Sequence, residues 1–310
     1  MTSRRETLKR LGMAAAATAA LPYLHCTGKS PVSSQIASQQ YTWTTYFRRE
    51  GRDWGADMAV SLGELAASGY AGFEPSFDSV EAVPVLGGQL AAKKIWTRSL
   101  YVNSVLHDPA QVEASAAAAL EIARAAKALG VTIVVTNPSP IRWGSPENKS
   151  DAQLLTQARA LDALGAKLRD LDMVLAYHNH DAEMREGARE FHHMMLGTDP
   201  ANVRLCLDAH WVYRGAGNSQ VALFDIVKLY AGRIVELHLR QSDQGIWSET
   251  FGPGDIDYAR LAETLLSQNI RPHIVMEQAA EAGTPHTLGA IAAQRKSLEF
   301  AAELFADFAE

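Results

Sequence analysis

Cysteine is nearly absent from this chain, with two in 310 residues, so a disulfide framework does not hold it together. Basic charge is also lacking. The net charge of −6 carries none of the positive excess of a nucleic-acid binder. No glycine fingerprint of a dinucleotide site or phosphate loop follows any strand-like run, which removes the usual nucleotide-binding readings. The apolar stretch over residues 11–21 is shorter than the roughly 20 residues of a membrane span.

Apolar residues make up 47% of the chain, enough for one large barrel or two ordinary domains. The N-terminus reads as an export signal. Ser3-Arg4-Arg5-Glu6-Thr7-Leu8-Lys9 is a twin-arginine pattern, with Thr7 where such signals often carry Phe. An Ala-rich apolar stretch follows, then Pro22 and Cys26. Residues 1–26 are therefore expected to be a twin-arginine signal peptide, directing the chain to the periplasm or outside the cell. Tyr23-Leu24-His25 lacks the small residues that lipoprotein sites prefer, so a lipid anchor at Cys26 stays an open alternative. Cys206 sits in an apolar run and reads as a packed thiol.

Residues 27–39 are rich in Ser, Gln and Gly and read as a linker, leaving 40–310 as the catalytic domain. From residue 40, short apolar runs alternate with longer helical patterns, the α/β signature. Strand-like runs cover residues 41–47, 72–77, 94–102, 132–137, 173–180, 203–208, 234–239 and 274–277. Helical patterns cover 54–68, 109–129, 151–171, 188–196, 220–231, 258–268 and 287–306. The central strand runs are apolar on both faces, as buried parallel strands are. This pattern favours a single (β/α)8 TIM barrel over an open doubly wound sheet.

Several of these runs end in a residue able to bind metal. Met173-Val-Leu-Ala-Tyr leads into His178-Asn179-His180, Val203-Arg-Leu-Cys-Leu into Asp208-Ala209-His210, Ile234-Val-Glu-Leu into His238, and His273-Ile-Val-Met into Glu277. Ligands at the ends of successive parallel strands converge at the C-terminal face of a closed barrel. A lone carboxylate is costly to bury unless paired or bound to metal. His178 and His180 alternate onto one strand face, with Asn179 pointing away. One of the two could ligate metal while the other binds substrate or acts as a base. Asp257 after Gly252-Pro253-Gly254 reads as a helix cap. Trp43, Trp143, Trp211 and Trp247 stand near predicted loop ends, either as platforms for a sugar face or as rim packing.

The motifs Gly69-Tyr70-Ala71-Gly72-Phe73-Glu74, Tyr177-His178-Asn179-His180-Asp181-Ala182-Glu183, Leu207-Asp208-Ala209-His210-Trp211, Glu236-Leu237-His238-Leu239-Arg240, Phe251-Gly252-Pro253-Gly254-Asp255 and Val275-Met276-Glu277 together resemble the xylose isomerase-like TIM barrel superfamily, the sugar phosphate isomerase/epimerase group. Within it they are most similar to the Tyr-His-Asn-His branch related to inosose dehydratase and to exported enzymes of 3-keto sugars. The resemblance implies metal ligands His178, Asp208, His238 and Glu277. It also implies a divalent cation, with Mn²⁺ the first expectation and Mg²⁺, Co²⁺ or Zn²⁺ the others. His178 stands where the family usually has Glu, which weakens a symmetric two-base epimerisation. Arg240-Gln241 replaces the common Lys-Asp and suits a bidentate contact to substrate oxygens.

The implied function is an exported metal-dependent lyase or hydratase acting on a keto sugar or 3-keto-glycoside through a metal-stabilised enediolate. His180, Glu277 and His178 would be catalytic, and Glu74, Glu183, His210 and Arg240 would bind a small-molecule carbohydrate. A sugar isomerase or epimerase is the alternative enzyme reading, and a non-catalytic periplasmic sugar-binding barrel the alternative of another class. No nucleic acid and no stable membrane span are expected. The sequence leaves homo-oligomerisation open.

Overall fold

Each buried strand of this chain is followed by a helix that covers it. The computed structural model describes residues 33–308, so the twin-arginine leader and Cys26 lie outside the described residues. In chain order the elements are β1 (Ala37–Gln39), α1 (Gln40–Arg49), α2 (Met58–Ala67), β2 (Gly72–Glu74), α3 (Ala82–Ala92), β3 (Ser99–Ser104), α4 (Val112–Ala126), β4 (Ile133–Pro138), α5 (Asp151–Arg169), β5 (Val174–His178), α6 (Arg185–Leu196), β6 (Val203–Asp208), α7 (Ala209–Gly215), α8 (Gln220–Tyr230), β7 (Ile234–Leu239), a hairpin of β8 (Ser242–Asp243) and β9 (Ile246–Trp247), α9 (Tyr258–Ser267), β10 (His273–Met276) and α10 (Ala290–Leu304).

Eight strands form one parallel sheet in the order β2-β1-β10-β7-β6-β5-β4-β3. Its two edges meet. Phe73 N–H donates to the Trp96 carbonyl at 3.0 Å, and Tyr101 N–H donates to the Pro75 carbonyl at 2.8 Å. With the edges joined, the architecture is the (β/α)8 barrel that the alternating pattern predicts, and unpaired strand edges are covered.

The first strand is not where the sequence suggests. Residues 41–47 are rich in Thr, Tyr, Trp and Phe and read as a strand, but they lie in α1. Thr42, Trp43, Thr45, Tyr46 and Phe47 are its buried residues, a helical rather than an alternating pattern. The Gln39 side chain accepts a hydrogen bond from Tyr41 N–H and so caps the helix start. The strand is β1, inside the stretch that reads as a linker. Two further helices have no counterpart in the sequence reading: α3, which contains Pro84 and Gly87, and the short α7. The expected caps are partly met. Asp257 Oδ1 accepts from Arg260 N–H at 2.9 Å, whereas α2 starts at Asp57 rather than near Asp53.

Leu, Ile, Phe and Trp side chains fill the shell between the strands and their helices. The barrel lumen has only a small apolar plug of Ile133, Val135, Ala176 and Cys206, flanked by Tyr101 and Val235. Above it the lumen turns polar. Ser99 donates to Glu74 Oε2 across the β2–β3 seam at 2.5 Å, and His238 on β7 reaches Glu74 on β2 across the interior. Branched aliphatic residues usually fill this space in such barrels.

The seam makes a direct test of this architecture. A Cβ added to Gly72 would stand 2.2 Å from the Trp96 ring. Gly72→Ala is expected to destabilise the protein by about 1–3 kcal/mol through overpacking, measured as a lower urea midpoint. An unchanged midpoint would contradict the tight closure.

Candidate metal centre and active site

Three of the expected ligands converge at the C-terminal mouth. His178 ends β5, Asp208 ends β6, and Glu277 follows β10. Their ligand-capable atoms all lie within 4.8 Å of one another, and all three side chains are buried. Asp208 caps α7 with one oxygen, accepting from Trp211 N–H at 2.9 Å. Its other oxygen, Oδ2, has no hydrogen-bond partner among the described residues. Burial raises the Asp208 carboxyl to about 6, with Arg240 opposing. A buried carboxylate oxygen without a partner, beside an imidazole and a second carboxylate, fits a divalent cation such as Mn²⁺, Mg²⁺ or Zn²⁺.

The fourth expected ligand is placed differently. His238 Nδ1 lies 3.0 Å from Glu277 Oε2, and Nε2 lies 3.1 Å from both Glu236 Oε1 and Glu74 Oε1. Both ring nitrogens therefore face carboxylates, and His238 Nδ1 braces Glu277 beside the triad. Burial alone would lower its pKa. Its neighbours Cys206 and Glu74 outweigh that and raise it.

Glu277 is held by two cations. Its Oε1 accepts from Arg240 Nη2 at 2.9 Å while Oε2 faces His238. Burial would raise this carboxyl, but Arg240 and His238 outweigh burial and lower it to about 2. An ionised carboxylate with both oxygens engaged is a good ligand and a poor proton acceptor.

His180 differs in carrying an open ring nitrogen. It lines the cavity, and its Nδ1 is buried without a hydrogen-bond partner among the described residues. Burial lowers its pKa to about 3, so the ring is neutral. The His178 and His180 ring centroids are 4.8 Å apart. Asn179 turns away from both, as strand alternation requires, and pairs with the Asp208 backbone. Its Nδ2 donates to Asp208 O at 3.0 Å and its Oδ1 accepts from Asp208 N–H at 3.2 Å. That exchange ties the ends of β5 and β6 at the ligand positions.

A cavity of about 460 Å³ opens above these groups, lined in part by Tyr41, Trp143, His180, Trp211, Arg240, Trp247 and Glu277. Trp143 and Trp211 flank His180, with centroids 5.1 and 5.5 Å from its ring. Trp247 is carried in by the β8–β9 hairpin, whose turn residues Gln244 and Gly245 have φ of 51° and 82°. Positive φ at both turn positions is the geometry that two-residue hairpins favour. The Arg240 guanidinium lies 4.2 Å from the Trp247 ring centre, and its Nη1 has no hydrogen-bond partner among the described residues. Trp43 is no platform. It is buried against Phe47 and Trp54 and donates to Ser38 Oγ at 2.9 Å.

Three expected substrate contacts lie elsewhere. Glu74 is buried in the lumen between Ser99 and His238. Glu183 is buried behind the wall, accepting from His180 N–H at 2.6 Å and from Asn137 Nδ2 at 3.2 Å, so it positions the loop that carries His180. His210 falls in α7, which begins directly after Asp208 and breaks the strand alternation. It is buried against Trp211 and Trp247 and lines no part of this cavity.

The sequence reading passed over Glu236, Cys206 and Asn137 as site residues. The signal for Glu236 was present, because a carboxylate inside an otherwise apolar run, two residues before His238, must share its face. Asn137, one residue before the end of β4, donates to the His178 carbonyl at 3.0 Å.

A model of the xylose isomerase-like TIM barrel family matches residues 62–304. The chain belongs to this family. Among curated proteins it is similar to inosose dehydratase from Clostridium perfringens, 24% identical over 244 residues that cover 70% of this chain and 80% of that protein. Among solved structures it is similar to a xylose isomerase-like TIM barrel protein from Mycobacterium smegmatis in complex with magnesium, at 13% identity and TM-score 0.69, covering 91% of this chain and 99% of the other. It is likewise similar to 3-keto-D-glucoside 4-epimerase from E. coli, at 16% identity and TM-score 0.62, covering 87% and 98%. At these identities the structural likeness establishes the family fold alone. Among the described residues no helix is long and apolar enough to cross a membrane.

Glu183 gives this family barrel a testable pH dependence. Burial, reinforced by Glu190, raises its carboxyl from the ordinary 4.5 to about 7. Its stabilising share is therefore complete below the unfolded value and is lost as pH rises through about 7. Glu183→Gln should flatten the fall in stability between pH 5 and 8, followed by thermal melting. A variant with the wild-type pH slope would contradict this placement.

Proposed function

We propose that this protein is a metal-dependent sugar lyase or hydratase, acting on a keto sugar or 3-keto-glycoside and exported by the twin-arginine route. The observation that carries the reading is the neutral imidazole of His180, which lines the cavity beside a ligand triad with two carboxylates. Inverting a carbon by epimerisation calls for two proton carriers on opposite sides of it. Glu277, the other expected base, has both oxygens committed to Arg240 and His238. The remaining carboxylate on the cavity wall, Asp181, is half exposed and faces Arg185 at 3.9 Å.

His178, Asp208 and Glu277 would hold the cation. What a divalent cation supplies when bound there is Lewis acidity toward a carbonyl and its neighbouring hydroxyl. The magnesium complex of the M. smegmatis neighbour supports a cation in this fold. The names of the C. perfringens relative and the E. coli neighbour support a carbohydrate substrate. Trp143, Trp211 and Trp247 offer apolar faces to a sugar ring, and Arg240 offers an N–H to its oxygens.

His180 would take the proton from the carbon beside the carbonyl. The electron pair of that C–H bond would form an enediolate. Its collapse would break the C–O bond one carbon further on, and the imidazolium would return its proton to the departing oxygen. The net change is loss of water or an alcohol, and hydration is the reverse. The negative charge of Glu277 favours the transient imidazolium, since it raises the His180 pKa against burial.

Incubation with a 3-keto-glucoside and Mn²⁺ is expected to give a conjugated enone, seen as a new ultraviolet absorbance, with release of the aglycone. His180→Ala should slow this by about 10²–10⁴-fold. A new epimer with no chromophore would favour an isomerase or epimerase. Sugar binding without turnover, unaffected by metal removal, would favour a binding protein. For export, Arg4→Lys with Arg5→Lys is expected to retain the protein in the cytoplasm on fractionation, and unchanged export would refute the route.

A further inference from the structure

At the opposite end of the barrel from the mouth, a second cavity of about 260 Å³ opens where β3 and β10 begin. It is lined in part by Arg98, Arg271, His273, Trp96, Ile274 and Phe308. Arg98 stands directly before β3, and Arg271 two residues before His273, the first residue of β10. Glu277 follows the other end of β10, so the length of that strand, about 13 Å, separates this floor from the mouth triad.

The floor carries positive charge with nothing to balance it. No Asp or Glu is among the described residues that line it. Neither guanidinium has a carboxylate partner among the described residues. Arg271 Nη1 donates to Asn269 Oδ1, a neutral amide, at 2.5 Å. Arg98 is held through its backbone, whose carbonyl accepts from Thr132 and Ile133 N–H at 2.9 and 3.1 Å. His273 supplies the buried part. It is 5% exposed, and its Nε2 has no hydrogen-bond partner among the described residues. Burial, reinforced by the charge of Arg98, lowers its pKa to about 3, so the ring is neutral and keeps one N–H to donate. Trp96 forms the wall beside it, with ring centroids 5.7 Å apart, and its indole N–H donates to the Ser34 carbonyl at 3.2 Å. A buried nitrogen left open is costly unless something pairs with it.

We propose that the barrel floor binds a small oxyanion, the carboxylate or phosphate group of a metabolite-sized ligand, between Arg98, Arg271 and His273. Guanidinium groups match such an anion with paired, charge-assisted hydrogen bonds. His273 meets it from the barrel side, while Trp96, Ile274 and Phe308 give an apolar wall to the rest of an organic ligand. The floor is the electrostatic opposite of the mouth, where carboxylates call for a cation. This site does not depend on the sugar chemistry proposed there.

The test is thermal melting of the metal-stripped full chain in inorganic phosphate and, separately, in benzoate, each against sodium chloride of equal ionic strength. An anion at about ten times its Kd should raise the midpoint by roughly 3–5 °C. Arg98→Gln with Arg271→Gln, both at exposed positions, should weaken binding about tenfold or more and remove most of that rise. Asp208→Ala, at the mouth, should keep it. A larger rise with phosphate assigns the site to a phosphoryl-bearing ligand, and a larger rise with benzoate to a carboxylate on an apolar body. No rise beyond the chloride control with either anion would overturn the proposal. A rise that survives in the double arginine variant would overturn it too, and that variant decides the matter even if Asp208→Ala fails to fold.

Discussion

Compensation of buried charge is the constraint on which the site depends. Glu74, Glu236 and Asp208 place their carboxyl groups in or just above the lumen away from water, and Glu277 joins them at the floor of the cavity. Arg240 and His238 are the cations that face them. Leaving one partner of such a group unpaired costs about 3–5 kcal/mol. The arrangement at the mouth follows from this requirement. Arg240 lies along Glu277 with two hydrogen bonds, from Nη2 to the carboxylate and from Nε to the backbone carbonyl at 3.1 Å. His238 stands between an upper carboxylate and two lower ones.

The same constraint divides the labour among ionisable groups that are neighbours in space. Two cations draw Glu277 down, so it stays charged and can bind metal. Burial without an equal counter-charge raises Asp208 and keeps His180 neutral. Pushing neighbouring pKa values apart in this way separates ligands from proton carriers. The aromatic wall adds to the effect. Trp143 and Trp211 flank His180, while the β8–β9 hairpin sets Trp247 over Arg240. Salt bridges from Arg214 to Glu281 at 2.8 Å, and Asp255 accepting from Gln244 and Gly245 N–H at 2.9 and 2.8 Å, hold that hairpin in place.

The barrel was legible in the sequence because its signal is repeated. Most strand runs are continuous and apolar, and most helices show a clear amphipathic pattern. The ligand positions were legible because a charged residue directly after a buried run has few places to go. What sequence reading missed depends on tertiary context. Residues 41–47 have strand-forming side chains, yet they form α1 because the Gln39 cap and burial of Trp43, Tyr46 and Phe47 favour a helix. β1 is only three residues long and sits in a polar stretch, so it left no hydrophobic run to find. His210 reads as a substrate contact at a strand end, but α7 turns it aside. Glu74 reads as a substrate contact and Glu236 as one residue of an apolar run, and their meeting inside the lumen joins β2 to β7, a contact no local pattern encodes.

The central claim is that His178, Asp208 and Glu277 together bind a divalent cation at the barrel mouth. Anomalous diffraction from a crystal of the protein grown with Mn²⁺, recorded at the manganese edge, tests it most directly. The account predicts a peak within bonding distance of all three side chains, between the lumen and the tryptophan-lined cavity. A crystal with no manganese peak at these residues, or with one held only by surface carboxylates, would contradict it.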